Sequence, residues 1–254
     1  MTQTIKNEWW KPFYDETFVN LLTLWKDQAE IDLTVDFLIK ELDLKPGMTV
    51  FDQCCGVGSL SLPLAERGIN VIGVDLSHDF INKAKSQANE NSHFYCADAF
   101  DFIPSQACSG AFNWHTSFGY SESDKENVLM LKNAFAALKP GGKFVLDYPN
   151  MACVLKNFEN TIVRHIDSEE GEILLVRESQ INLSTGMLQQ LWTISLPTGK
   201  QLKKPSFVKI YLPHSIVDML KECGFYRVEI YSNTLGENQD LNSPRCIYKA
   251  TKPQ

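Results

Sequence analysis

Three aspartates each stand at the end of an apolar run, and a glycine turn follows the first. Residues 51–62 read FDQCCGVGSLSL, residues 70–75 NVIGVD and residues 93–98 HFYCAD. Asp52 lies just ahead of Gly56-x-Gly58, and Asp75 follows Gly56 by 19 residues. The glycines allow backbone to approach a ligand, and a carboxylate at that spacing suits hydrogen bonds from ribose hydroxyls. Asp98 is placed to accept from the exocyclic amine of a base. No Gly-Lys-Ser/Thr is present, so the turn is not a mononucleotide phosphate loop. Ser61 stands where a dinucleotide loop carries the third glycine that lets a pyrophosphate sit at a helix N-terminus. The pattern therefore suits a nucleoside with a cationic or zwitterionic tail. Asp52 and Asp98 have a second, plainer reading as strand-end helix caps.

A second group of chemistry-bearing residues is NWHTSFGY, 113–120. His115 has the side chain best suited to general-base work near neutral pH. Trp114, Phe118 and Tyr120 could wall a pocket, and aromatic faces stabilise a cation by about 0.5–2 kcal/mol. The alternative is that the aromatics are core and His115 merely hydrogen-bonds a loop. His78, His93 and His165 show no metal-ligand spacing, and His214, beside Pro213, reads as structural; no metal is expected. The seven cysteines are odd in number and include no C-x-x-C. They read as reduced, buried thiols rather than a zinc site or disulfide framework.

These residues need strands and helices to hold them. Residues 8–44 have two helical stripes: Trp9, Trp10, Phe13, Phe18, Leu21, Leu22 and Trp25, then Ile31, Val35, Leu38, Ile39 and Leu42. The turn LKPG opens a first strand, MTVFD, and a helix over 59–67 must take Pro63 in its first turn or be disturbed by it. Strands at 70–75, 93–98, 110–114 and 143–148 follow. Ser77 caps the helix between the second and third, and Ser123-x-x-Glu126 forms a capping box before the fifth. Apolar strands alternating with helices predict an α/β, doubly wound, mostly parallel sheet of seven strands with helices on both faces. Ligands of such sheets bind beyond the strands' carboxyl ends, where the three aspartates lie.

From about 160 to 211 the grammar changes to TIVRHI, EILLVRESQIN, MLQQLWTISL and FVKIYL, separated by turn residues. This predicts an antiparallel β element inserted after strand 5. Pro213 and Gly224 then bracket a helix, and YRVEIY and RCIYKA supply the last two strands. The expected division is a helical cap over 1–45, a ligand-binding domain over 46–158 and 212–254, and the insert over 159–211, as a lid or dimer surface. Arg164, Arg177, Trp192, Lys209 and Tyr211 are the insert's candidates for acceptor contacts, each with an alternative as a solvated strand face.

The 254 residues are 44% hydrophobic and 22% charged, ordinary for a globular chain that buries roughly three quarters of its unfolded surface. No apolar run reaches the roughly 18 residues of a membrane span. The first residues, MTQTIKNEWWKPF, have no apolar signal core, and the expected setting is a soluble cytoplasmic protein. A formal net charge of −7 disfavours nucleic acid as a partner. The sequence leaves monomer and homodimer open.

The motifs together resemble a class I, Rossmann-like S-adenosylmethionine-dependent methyltransferase of the small-molecule type. VFDQCCGVGSLSLPLAERG (50–68), VIGVDLS (71–77) and FYCADAF (94–100) are similar to the family's first three motifs, and LKPGGKFVLDYPN (138–150) to its fifth-strand segment. Cys54 departs from the glycine that usually opens the first motif. The resemblance implies S-adenosylmethionine as cofactor and S-adenosylhomocysteine as product. Asp52 and the backbone of Cys54, Gly56 and Gly58 would hold the methionine moiety. Asp75 would bind the ribose, with Leu76 beside the adenine and Asp98 and Ala99 at its edge. The backbone of Asn113 and Trp114 would meet the amino group, and Tyr14 or Phe18, from the N-terminal cap, would approach the sulfonium. His115 would be the base, with Phe118, Tyr120, Arg177 and Trp192 facing a small-molecule acceptor through O or N, or through C or S. Other readings are a protein or RNA methyltransferase, a nucleotide-binding oxidoreductase and a non-catalytic binding module.

Overall fold

The computed structural model describes residues 8–24 and 27–254. Trp25 and the side chain of Leu22, both in the first apolar stripe, lie outside what is described. The remaining N-terminal stripe folds as three helices: α1 (Trp10–Phe13), α2 (Glu16–Leu24) and α3 (Gln28–Glu41). Asp15 accepts from the Phe18 amide (3.2 Å) at the start of α2, and Asp27 caps α3 through the Ala29 amide (2.9 Å).

There follow β1 (Thr49–Gln53), α4 (Ser61–Glu66), β2 (Asn70–Asp75), α5 (His78–Lys85), β3 (Ser92–Cys96), β4 (Cys108–Asn113), α6 (Asp124–Ala137), β5 (Leu138–Pro149) and α7 (Met151–Lys156). A four-stranded excursion comes next: β6 (Thr161–Ser168), β7 (Gly171–Asn182), β8 (Met187–Ser195) and β9 (Gln201–Lys209). Then α8 (Pro213–Glu222), β10 (Tyr226–Tyr231) and β11 (Arg245–Thr251) complete the chain.

The main sheet has the order β10-β11-β5-β4-β1-β2-β3; β1 to β5 are mutually parallel, and β11 runs antiparallel to β5 and to β10. Successive strand residues point to opposite faces. So Phe51, Ala111, Phe144 and Leu146 pack with Leu131, Ala134, Ile216 and Leu220 of α6 and α8. Their neighbours Val50, Phe112 and Val145 pack with Val35, Leu38 and Leu64 of α3 and α4. Both faces being covered explains why the strands read as continuous apolar runs. Strand order reverses between β1 and β4, which opens a crevice at their carboxyl ends.

The second sheet, β6-β7-β8-β9, is an antiparallel meander inserted between α7 and α8, as expected. The Lys209 amide donates to the Gly119 carbonyl (2.7 Å) and Tyr148 Oη donates to the Lys209 carbonyl, which fasten its last strand to the main body. Lys204 of β9, buried, donates to the Pro12 and Phe13 carbonyls (3.0 Å each) and to Asp15 (2.7 Å). Trp9, Phe13 and Phe18 pack in the same cluster as Ile173, Leu175 and Phe207. The N-terminal helices and the inserted sheet thus share one apolar core.

Four details differ from the sequence reading. β3 ends at Cys96, so Asp98 lies in the turn beyond it. β5 absorbs LKPGG, because the Gly141 amide is held by the carbonyls of Lys252 and Pro253, and the pairing with β4 shifts register there, between Cys108 and Gly110. The capping box is half made: the Ser123 hydroxyl accepts from the Glu126 amide (3.4 Å), but the Glu126 carboxylate turns to the Ser121 hydroxyl. And α7, a short helix capped by Asn150, carries no periodic signal long enough to read.

Candidate active site

The turn after β1 carries Cys54, Gly56 and Gly58 with φ of 70°, 56° and 78°. A Cβ on Gly58 would also stand 3.2 Å from Leu62 and from Phe94, so glycine is needed there twice over. Cys54 adopts the left-handed conformation that glycine takes freely, which is the physical content of the family's preference at that position.

Asp52 is 3% exposed and accepts from the Ser61 hydroxyl (2.6 Å), so Ser61 serves a carboxylate rather than a pyrophosphate. Burial pushes the Asp52 carboxyl up to about 7, against the Ser61 bond and with help from the charge of Asp75. Asp75 accepts from the amides of Gly56 and Ser77 (2.9 Å each); burial raises it, and these donors oppose the rise. Asp98 accepts from the Phe100 amide (2.9 Å), while Asn133 of α6 donates to the Ala99 and Phe100 carbonyls (3.1 and 2.7 Å). The plainer reading of Asp98, a carboxylate closing a local turn, is therefore also satisfied.

The N-terminal segment reaches the same place. Tyr14 and Tyr120 meet hydroxyl to hydroxyl (2.5 Å), with stacked rings, and burial raises both phenols. The Ser77 hydroxyl donates to the Tyr14 carbonyl (2.9 Å), tying α1 to the Asp75 turn.

His115 and Thr116 sit at φ of 60° and 61°. The clamp that holds them is Asp147, 1% exposed, which accepts from the His115 amide (3.0 Å) and pairs with Nε and Nη2 of Arg245 (2.5 Å each). Arg245 also donates to the Thr116 hydroxyl (2.8 Å). The His115 imidazole opens to solvent through the cavity yet stands deep in the protein mass. Desolvation lowers its pKa; Asp147 opposes this and Arg245 adds to it. The balance favours the neutral ring.

One cavity of about 1390 Å³ unites these groups. Asp52, Cys54, Gly56, Asp75, Leu76, Asp98, Ala99, Trp114 and His115 line it from the main sheet, Tyr14 from the N-terminal segment, and Tyr120, Arg177 and Trp192 from above. Three residues expected from the main domain are not brought to its wall. Phe118 is fully buried against Tyr148 and Tyr211, a core residue rather than a wall of the acceptor pocket. Gly58 turns the chain behind the wall. Asn113 is 1% exposed, with Nδ2 near Gln53 (3.3 Å) and Cys54 and its Oδ1 buried without a partner among the described residues. Of the insert's other candidates, Tyr211 is bonded to Asp124 and Asn127, Lys209 to the Glu122 carbonyl, and Arg164 is exposed; none lines the cavity.

The sequence reading missed the Asp147–Arg245 clamp, whose partners are 98 residues apart, although an acid inside the apolar run FVLDY was a visible anomaly. It also missed Ser179, Gln190 and Ser206 on the roof. Period-two alternation from Arg177 and Trp192 along their strands leads to Ser179 and Gln190.

A parallel sheet in this order, an antiparallel last strand and a lined crevice at the carboxyl edge define the Rossmann-like methyltransferase fold. A family model described as a methyltransferase domain matches residues 44–194, and the chain belongs to this family of S-adenosylmethionine-dependent enzymes. Among similar proteins, the ubiquinone biosynthesis O-methyltransferase of Coxiella burnetii is 30% identical over 142 residues, covering 55% of this chain and 56% of its own. The chain matches only about half or less of the length of the first curated relatives. The CcbJ methyltransferase of Streptomyces caelestis shares the fold with a TM-score of 0.81 at 17% identity, covering 95% of this chain and 98% of that one. The sugar N-methyltransferase KedS8 of Streptoalloteichus does so at 0.75 and 15% identity, covering 100% and 98%.

Proposed function

We propose that the protein transfers the methyl group of S-adenosylmethionine to an oxygen or nitrogen of a small molecule. One observation carries this reading: the cofactor residues expected from the motifs, all but Gly58 and Asn113, line a single cavity together with His115 and the roof residues Arg177 and Trp192. The donor set fits the cofactor. Two carboxylates, the buried Asp52 and the half-buried Asp75, stand beside backbone that approaches closely at Gly56. Asp52 would face the cationic methionine end, Asp75 the ribose, and Leu76, Asp98 and Ala99 the adenine. The bound cofactor supplies a methyl group on a sulfonium, open to in-line displacement.

The chain's own part is alignment, exclusion of water and management of one proton. The aromatic residues of the N-terminal segment and the inserted sheet cover part of the cavity. His115, whose backbone amide is held by the Asp147–Arg245 clamp and whose ring is shifted toward the neutral form, accepts the proton that an O–H or N–H nucleophile loses. The helical segment before β1 and the inserted sheet act in this reading as a roof over the nucleoside-binding domain. The names of the curated O-methyltransferase relatives and of the sugar N-methyltransferase support an O or N acceptor. No described helix is long and apolar enough to cross a membrane. The seven free thiols support a reducing, cytoplasmic setting.

Titration calorimetry tests the first half: S-adenosylmethionine and S-adenosylhomocysteine bind, and NAD(P) does not. Transfer of labelled methyl to small-molecule fractions tests the second, and binding without any transfer would leave only a binding module. His115→Ala is expected to lower turnover at least tenfold with S-adenosylhomocysteine affinity nearly intact; wild-type turnover would remove His115 as the base.

A further inference from the structure

The roof sheet presents to the cavity one cation, Arg177, that no group among the described residues answers. Arg177 of β7 stands between its register partners Ile162 and Trp192, and all three line the cavity. The polar side chains beside it satisfy one another. Trp192 Nε1 donates to the Ser206 hydroxyl (2.9 Å), Ser206 donates to Gln190 Oε1 (3.4 Å), and Gln190 Nε2 donates to the Ser179 hydroxyl (3.3 Å). Arg177 stands outside this chain. Its Nε is buried without a hydrogen-bond partner, and among the described residues no carboxylate lies within ion-pair distance of it. Its guanidinium lies over the Trp192 ring, 5.3 Å from the centroid, which holds it in place. The other arginine and lysine lining the cavity are engaged, Arg245 with Asp147 and Lys11 with Glu8.

A buried guanidinium nitrogen left unpaired is unfavourable, and its planar fork matches a carboxylate. The cavity, about 1390 Å³, exceeds the roughly 300–1,000 Å³ of a single-ligand pocket, so a second molecule fits beside the nucleoside. Apolar side chains on the same cavity wall, Ile162 beside Arg177 together with Phe158, Leu188 and Val208, suit a hydrophobic body. Asp52, Asp75, Asp98 and Glu159 on the same walls disfavour a ligand with more than one negative charge.

We propose that the acceptor is an amphipathic carboxylic acid whose carboxylate pairs with Arg177 while its apolar body lies under the inserted sheet. This deepens the methyltransferase reading and rests on it only for the word acceptor; the carboxylate site stands on the Arg177 environment.

The probes are matched pairs of aromatic acids and their carboxamides, hydroxybenzoates and aminobenzoates among them, titrated by ligand-observed NMR with S-adenosylhomocysteine at saturation. The expected result is at least one acid bound tenfold or more tightly than its amide. Arg177→Gln removes that preference, Arg177→Lys keeps a weakened one, and S-adenosylhomocysteine affinity in both variants stays within twofold. No preference for acids across the panel, an undiminished preference in Arg177→Gln, or tighter binding of phenyl phosphate than of the acids overturns the proposal. Failure of S-adenosylhomocysteine to bind the wild type would count against the methyltransferase reading alone, since the acid–amide comparison can be repeated without it.

Discussion

Asp52 is a carboxylate withheld from water, with one hydroxyl for company, and its titration is a handle on the site. Its folded pKa, about 7, lies above the roughly 3.9 of an unfolded aspartate. Between those values the folded chain holds a proton that the unfolded chain has lost. Asp52 therefore makes the cofactor-free protein less stable as pH rises from about 4 to 7, and levels off above. A cation beside Asp52 favours the ionised form, so S-adenosylmethionine binding should weaken as pH falls below 7, by up to about tenfold per unit. Calorimetry from pH 5.5 to 8.5 checks this, and Asp52→Asn should flatten the profile; a slope that survives in that variant assigns the titration elsewhere. Asp75 is the second residue-scale test. Asp75→Ala is expected to weaken cofactor affinity by at least about 1.4 kcal/mol, tenfold, through lost ribose bonds. An unchanged dissociation constant would count against the ribose assignment.

Elements meet over the cavity through few polar contacts, and Lys204 makes the densest of them. Its ammonium joins β9 to the two carbonyls that end α1 and to the Asp15 carboxylate. Removing it leaves those carbonyls without their donor inside an aromatic cluster that includes Trp9, Phe13 and Phe18. Lys204→Met is expected to destabilise by about 1–3 kcal/mol. Hydrogen exchange should accelerate over residues 8–24 and 201–209 while the main sheet keeps its protection; uniform acceleration would show that the two elements open with the whole fold.

At the scale of the molecule, the cavity is walled by three parts of the chain: the carboxyl edge of the main sheet, the N-terminal segment and the inserted sheet. A ligand that touches all three couples them, and binding to the folded state alone raises its stability. S-adenosylhomocysteine at 100 times its dissociation constant should add about 2.7 kcal/mol. For a chain of this size that is a rise of roughly 5–10 °C in Tm by differential scanning calorimetry. NAD should leave Tm unchanged, and an equal shift with NAD would favour a general nucleotide site.

Much of this architecture was legible in local signals. Apolar runs ending in Asp52 and Asp75, the Ser77 cap and the break into alternating strands near 160 are each short-range patterns. They set element type because strand alternation, helical period and caps act within a few residues. Where the acids cluster also followed, since a parallel sheet gathers its carboxyl ends on one edge. Side-chain direction and long-range partners did not follow. Phe118 and Tyr120 are two residues apart, yet one fills the core and the other meets Tyr14, 106 residues away. Asp147 finds Arg245 across two paired strands, and Arg177 keeps an unpaired nitrogen while Ser179, Gln190 and Ser206 bond to one another. Such pairings arise from which faces pack and which are left over, and that is decided only when distant elements close on a common core.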